Sequence, residues 1–246
     1  MSVIKPQAND IFVFGSNLAG RHGKGAAFSA KKWYGATQGQ GEGLSGQSYA
    51  LPTKDERLTT LPLDVIEQYV DRFKAFAAQR PDLVFHLTPI GCGLAGYSVA
   101  QIAPLFADAT ENVQLPGVFK QYLGDSTLRI IVAGGRDYDN RDFLFAVMDK
   151  VLRSTDHPVE IISGTARGCD ALGADYAKTH NLRLVEMPAA WDYFGKAAGA
   201  ERNWRMAQRA THLVAFWDGQ SRGTHQMIDA AKSYGLTYRV VRYALA

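Results

Sequence analysis

Cysteine is scarce: Cys92 and Cys169 are the only two in 246 residues, and both sit inside glycine-rich turns. Two thiols without framework spacing exclude a disulfide-stapled scaffold and point to a reducing compartment. An excess of one charge is missing too. A net charge of +3, from 27 Lys and Arg against 24 Asp and Glu, is too mild to imply nucleic acid or an anionic membrane as partner. No apolar run approaches the roughly 18 residues of a membrane span, and there is no long repeat or low-complexity tract. The opening "MSVIKPQAND" is polar and lacks the apolar core of a signal peptide. These absences lead to the expectation of a cytoplasmic protein without membrane contact. What is present is ordinary globular material, 46% hydrophobic and 21% charged, enough for one large domain or two of usual size.

The stretch "DIFVFGSNLAGRHGKGAA" at 10–27 begins as an apolar strand over 11–14, then places glycines at 15, 20, 23 and 25 before a helix over 26–34. Glycine after a strand serves either a turn that needs positive φ or a backbone lying close to a ligand, usually phosphate, at a helix N-terminus. Further strands are predicted over 49–51 and 83–87. Between them an amphipathic helix over 62–79 aligns Val65, Ile66, Tyr69, Val70, Phe73 and Phe76, with Pro62 in its first turn. A helix over 99–109 follows "PIGCGLAGYS". Pro116, Gly117 and Gly124 then break the pattern and put a domain boundary near Asp125, giving domains over 1–124 and 125–246. The second half is predicted to hold strands over 128–133, 159–163, 182–186, 213–216 and 238–242, with helices over 141–152, 171–179, 198–208 and 226–234. That alternation implies βαβ units in a doubly wound parallel sheet, whose ligands bind at the carboxyl ends of the strands. The fold class is α/β.

Three segments of the first half are expected at strand ends on one face. The glycine loop offers Asn17, Gly23, Gly25 and Ala26; "ALPTKD" offers Lys54; "PIGCGLAGY" offers Gly91, Cys92, Gly93, Leu94, Gly96 and Tyr97. The third is nearly all small residues, which lets backbone N–H groups reach a diphosphate. Lys54 reads as a cleft residue or as a solvated loop lysine, and Cys92 as a small buried side chain or a nucleophile. The second half has four such loops. "VAGGRDYDN" carries Gly134, Gly135 and Arg136, and "ISGTARGCDALGADYA" carries Ser163, Gly164, Gly168 and Asp170. "GKAAGAERNWRM" carries Glu201, Arg202 and Asn203, and "FWDGQSRGTHQMID" carries Asp218, Ser221, Arg222, Gly223 and Thr224. Parallel sheets need tight turns, and glycine supplies them. Four glycine loops on one rim, carrying arginines and carboxylates, read better as a nucleotide site, where orphan helix N–H groups and arginine meet phosphate.

The segments "SNLAGRHGKGAAFSAKKWYGA", "LPTKD" and "PIGCGLAGYSVAQIAPLFADA" together resemble a macrodomain over about 10–115. The branch is that of the terminal ADP-ribose protein glycohydrolases and the antitoxin macrodomains that remove ADP-ribose from DNA. The resemblance implies an ADP-ribose cleft, with the branch's catalytic lysine falling on Lys54. Ala95 stands where that branch has its second catalytic residue, an aspartate, and Asp55 and Glu56 are the nearby carboxylates. Loss of a positioned acid–base group removes about 10²–10⁴ in rate, so the resemblance speaks for binding more than for hydrolysis. In the second half "AGGRDY", "SGTARGCDALGADYA", "RNWRM" and "WDGQSRGTHQMIDAA" resemble the SLOG superfamily of nucleotide-sensing Rossmann-like domains, in its small bacterial and phage branch. Relatives include cytokinin-activating phosphoribohydrolases, whose "PGGxGTxxE" glutamate is replaced here by Met227. The pairing is similar to macro-like non-structural proteins of phages.

Together the resemblances imply two three-layer α/β domains, macrodomain-like then SLOG-like. They imply binding of an NAD-derived nucleotide such as ADP-ribose or cyclic ADP-ribose, in a counter-defence role in the host cytoplasm. An N-glycosidase acting on ADP-ribosylated macromolecules or nucleotides is the alternative, favoured by Lys54 and opposed by Ala95 and Met227. A nucleic-acid binder, by analogy with the DNA-processing relatives, lacks a basic stripe. No metal or cofactor is expected. The expected partner is a small-molecule nucleotide, and the reading is compatible with a homo-oligomer.

Overall fold

The computed structural model describes residues 6–153 and 155–244. The chain divides into two compact units, Pro6–Gly124 and the chain from Asp125 on, each containing a five-stranded sheet. The first unit runs β1 (Asp10–Asn17), α1 (Gly25–Trp33), β2 (Gly43–Ser45), β3 (Ser48–Lys54), α2 (Leu63–Ala78), β4 (Val84–Leu87), α3 (Val99–Ile102), β5 (Val113–Gln114) and α4 (Gly117–Tyr122). Its sheet order is β2-β3-β1-β4-β5, antiparallel only between β2 and β3. Neighbouring residues of β3 point to opposite faces. Ala50 joins Phe14, Ala27 and Ala30 under α1, while Tyr49 packs tilted at 5.0 Å from Phe73 of α2. Phe73 in turn meets Phe85 edge-on at 5.5 Å. The α1 face thus sets alanines against Phe12 and Phe14, and the α2 face is packed with aromatic rings.

The second unit runs β6 (Leu128–Gly134), α5 (Arg141–Leu152), β7 (Val159–Ser163), α6 (Cys169–Thr179), β8 (Arg183–Glu186), α7 (Trp191–Phe194), α8 (Ala198–Arg209), β9 (His212–Trp217), α9 (Arg222–Ser233) and β10 (Thr237–Arg242). Its strands are all parallel, in the order β10-β9-β6-β7-β8. The chain winds outward from β6 through β7 to β8, then returns to the other side of β6 for β9 and β10. With right-handed crossovers, that reversal puts α5 and α6 on one face and α8 and α9 on the other. It also opens a crevice at the carboxyl ends of β6 and β9. Both units are α/β with helices and strands interleaved, and among the described residues no helix is long and apolar enough to cross a membrane.

The departures from the sequence reading are local. The helix expected over 99–109 is two short pieces, α3 and a 3₁₀ turn Ala103–Phe106, because Pro104 has no N–H to continue an α-helical ladder. The Pro116–Gly117 break is the start of α4, where burial of Val118 and Phe119 overrides weak local propensity. The last helix begins at Arg222 rather than near 226, since Ser221 caps it by accepting from the Thr224 N–H at 3.4 Å. The short strands β2 and β5 and the one-turn helix α7 were not expected; elements of two to four residues carry too little periodicity to read.

Candidate functional site

In the first unit, the three candidate segments do lie at the carboxyl ends of the adjacent parallel strands β3, β1 and β4. The first two segments touch, the Leu18 N–H donating to the Lys54 carbonyl at 2.9 Å, and the chain just past the second meets the third: Thr60 donates to the Ala95 carbonyl at 3.0 Å and Tyr97 to the Leu61 carbonyl at 2.7 Å. Several expected ligand groups are already engaged by the chain. The Asn17 amide donates to the Arg21 carbonyl at 2.8 Å and accepts from the Arg21 N–H at 3.0 Å, which closes the loop after β1. Lys54 Nζ donates to the Leu58 carbonyl at 3.3 Å, and Asp55 Oδ1 accepts from the N–H groups of Arg57 and Thr59. Burial pushes the Cys92 thiol up to about 12, so it is no thiolate near neutral pH. That weighs against the nucleophile reading.

The glycines of the first loop divide by role. A Cβ on Gly20, whose φ is +61°, would collide with the backbone of Gly39 and Gln40, so this glycine permits two loops to pack. Above Gly23 and Gly25 nothing stands within 4 Å, and Ala26 is half-buried in the first turn of α1. Gly91 is buried, whereas Gly93, Leu94 and Gly96 project toward solvent, Leu94 with 72% of its surface exposed.

The second unit contains an open cavity of about 820 Å³ at the crevice where the strand order reverses. One wall comes from the loop after β6 and the first turn of α9. The other comes from the crossover between β8 and β9, through Trp191, Lys196 and the first turn of α8. Gly134, Gly135, Arg136, Asp170, Arg202, Asn203, Asp218, Ser221, Arg222, Gly223 and Thr224 line it. Ser163, Gly164 and Gly168 are not among the lining residues and form the support behind it. Ser163 Oγ donates to the Asp170 carbonyl at 2.9 Å and accepts from the Thr165 N–H at 3.2 Å. Gly168 has φ +75°, and a Cβ there would meet the carbonyls of Gly135 and Arg136.

The polar residues of the lining fall into two groups. Asp170 and Arg202 form an ion pair at 3.5 Å with side chains 7% and 13% exposed. Burial pushes the Asp170 carboxyl up, opposed by Arg202, and burial draws the Arg202 guanidinium down, opposed by Asp170. Arg202 also donates to the Gly164 carbonyl and, through Nε, to Asn203 Oδ1 at 3.0 Å. Asn203 donates to Gln226 Oε1 at 2.6 Å and to the Gly223 carbonyl at 3.3 Å, which ties α8 to α9. The N–H groups of Ser221 and Gln220 hold the Asp218 carboxyl below its usual range and shape the loop before α9. Asn203 and Asp218, expected as ligand contacts, thus use these groups on the protein itself.

Arg136, Lys196 and Arg222 form the other group. All three are exposed, line the cavity, and have no hydrogen bond or ion pair among the described residues. Arg222 and Gly223 open α9, and a Cβ on Gly223 would meet nothing within 4 Å, so the backbone is approachable there. Helix N-termini of this kind favour anions. Among the described residues, no cluster of His, Cys, Asp and Glu has the makings of a metal site. Sequence reasoning missed Trp191, Lys196 and Tyr243 as lining residues. Lys196 opens the quoted "GKAAGAERN" stretch, but Trp191 and Tyr243 carry no local signal.

Comparison with known proteins reaches only part of this unit. No curated protein and no solved structure matches the chain. The family match does not extend to residues 6–124, so the macrodomain-like resemblance rests on its motifs alone. Residues 128–194, from β6 through α7, match the family described as YAcAr: YspA, cpYpsA-related SLOG family.

Proposed function

We propose that the second unit binds a phosphate-bearing nucleotide in the crevice between β6 and β9. The observation that carries this is the convergence of Arg136, Lys196 and Arg222 on one open cavity, none of them hydrogen-bonded or ion-paired to a carboxylate among the described residues, although Arg136 feels the Asp170 charge. Unpaired cations around an approachable helix N-terminus suit an anion, and charge-assisted bonds from arginine are among the strongest available to it. A cavity of about 820 Å³ lies within the range of sites for small molecules and cofactors. The SLOG match over 128–194 supports a nucleotide over a simple anion. Its finer identity, an NAD-derived molecule such as ADP-ribose or cyclic ADP-ribose, follows from the motif resemblances. Heating the purified chain and analysing the released small molecules by mass spectrometry tests this. A nucleotide in stoichiometric amount is expected, and release of a non-phosphorylated metabolite from this cavity would contradict the reading.

A second reading, ADP-ribose binding by the first unit, is favoured by the placement of its three loops at adjacent strand ends and by the open space above Gly23 and Gly25. Binding is favoured over hydrolysis there, since Lys54 is hydrogen-bonded within its own loop and Ala95 offers no acid. Calorimetric titration with ADP-ribose should show this site, and Gly93→Leu should abolish it without unfolding the chain, because Gly93 is exposed. Unchanged binding in that variant would place the ligand elsewhere.

A further inference from the structure

The chain has four tryptophans, and three of them are covered by a neighbour. Lys32 lies 4.7 Å over the Trp33 ring, Tyr234 packs 5.4 Å from Trp204, and the Arg242 guanidinium sits 4.1 Å over Trp217. Trp191 differs. It is 54% exposed, and among the described residues no ring or cation stacks on it. Yet it is held in place: it opens the one-turn helix α7, whose Phe194 is 3% exposed and covered by the Arg205 guanidinium at 5.2 Å. Trp191 also lines the cavity that Arg136, Lys196 and Arg222 line. Gly199 of α8 faces the indole edge, where an added Cβ would stand 3.8 Å from Trp191 Cη2.

An exposed indole on an anchored helix, beside unpaired cations, is matched by a ligand that is flat and apolar at one end and anionic at the other. We propose that Trp191 is the stacking platform for the base of the nucleotide, with its phosphates held by Arg136, Arg222 and the first turn of α9. This rests on the reading of the cavity as a nucleotide site and gives that site a direction. The base lies against the crossover between β8 and β9, and the phosphates lie at the β6 and β9 ends. Stacking accepts any base, because every base has a π-face. Trp191 therefore contributes affinity for nucleotides over bare phosphates, and little choice among bases.

The test compares ADP, GDP, UDP and CDP with inorganic pyrophosphate as calorimetric titrants of the full chain, alone and with Trp191→Ala, Trp191→Phe or Arg222→Ala. The expected result is a loss of about ten- to hundredfold in nucleoside diphosphate affinity for Trp191→Ala, the effect typical of removing a base-stacking ring. Pyrophosphate binding should stay within about twofold of wild type, Trp191→Phe should retain most nucleotide affinity, and Arg222→Ala should weaken both ligand types. Nucleotides should quench tryptophan fluorescence where pyrophosphate does not. If Trp191→Ala binds nucleotides as well as wild type, or loses nucleotides and pyrophosphate equally, the platform is overturned while the phosphate site stands. If wild type binds none of the five titrants, the reading of the cavity falls, and the platform with it.

Discussion

Arg136 and Arg222 stand exposed at the cavity with no hydrogen bond or ion pair among the described residues, whereas Ser163 and Asn203 use hydrogen-bonding atoms within the fold. All four were singled out by the same reasoning from loop composition. Residue type reports that a group can bond to phosphate; it does not report whether the chain's own backbone has already taken that bond. Trp191 lay beyond sequence reasoning for the opposite cause, since its role comes from a short helix that brings it to a cavity built by distant loops. Gly168 shows how little freedom the supporting shell has. Its backbone, at φ +75° and ψ −127°, is one that only glycine adopts with ease, and a side chain there would strike the carbonyls of Gly135 and Arg136. Gly168→Ala is therefore expected to destabilise the second unit by roughly 1–3 kcal/mol and to loosen the loop that carries Arg136. Urea unfolding followed by circular dichroism measures this, and a wild-type midpoint would show that the loops can shift at no cost.

The long elements were readable and the short ones were not. Strands β6, β7 and β9 bury apolar stretches at 130–133, 161–162 and 213–216, and α2 has a clear apolar stripe, so the apolar pattern identified both kinds. By contrast α4 begins at a Pro–Gly pair that reads as a break, and only burial of Val118 and Phe119 makes it a helix. The position of Arg222 changed with its element: a residue expected in a loop is the first residue of α9 and shares that helix's dipole. The start of β6 offers a separate test. Burial works to raise the Asp125 carboxyl, but the Thr127 N–H and the Arg129 guanidinium outweigh it and bring it to about 2. A carboxyl lowered in the folded state stabilises above its unfolded value of about 3.9, and that contribution is lost as pH falls through about 2. Wild type should therefore melt above Asp125→Asn at neutral pH, with the gap closing between about pH 4 and pH 2. A gap that persists unchanged to pH 2 would mean the charge of Asp125 plays no part.

Taken as a whole, the chain is two α/β units, each holding a complete sheet with its strand-end loops gathered at one edge. That much follows from alternating strands and helices, because parallel pairing requires crossovers and crossovers fix where the loops collect. The proposed binding edge is argued instead from cations without a hydrogen bond or ion pair among the described residues. The second unit has such charges at its crevice. In the first unit Asn17, Lys54 and Asp55 are hydrogen-bonded within their own loops. Arg136 and Arg222 are proposed to hold the phosphates of a nucleotide at the β6 and β9 ends. The most direct measurement is calorimetric titration of ADP into the full chain and into the Arg136→Ala/Arg222→Ala variant. Each arginine lost from a phosphate should cost on the order of 1.5–3 kcal/mol. Wild type should bind, and the double variant should lose more than about a hundredfold in affinity, with its melting temperature unchanged because both side chains are exposed. Equal affinity of a folded double variant and wild type would contradict it.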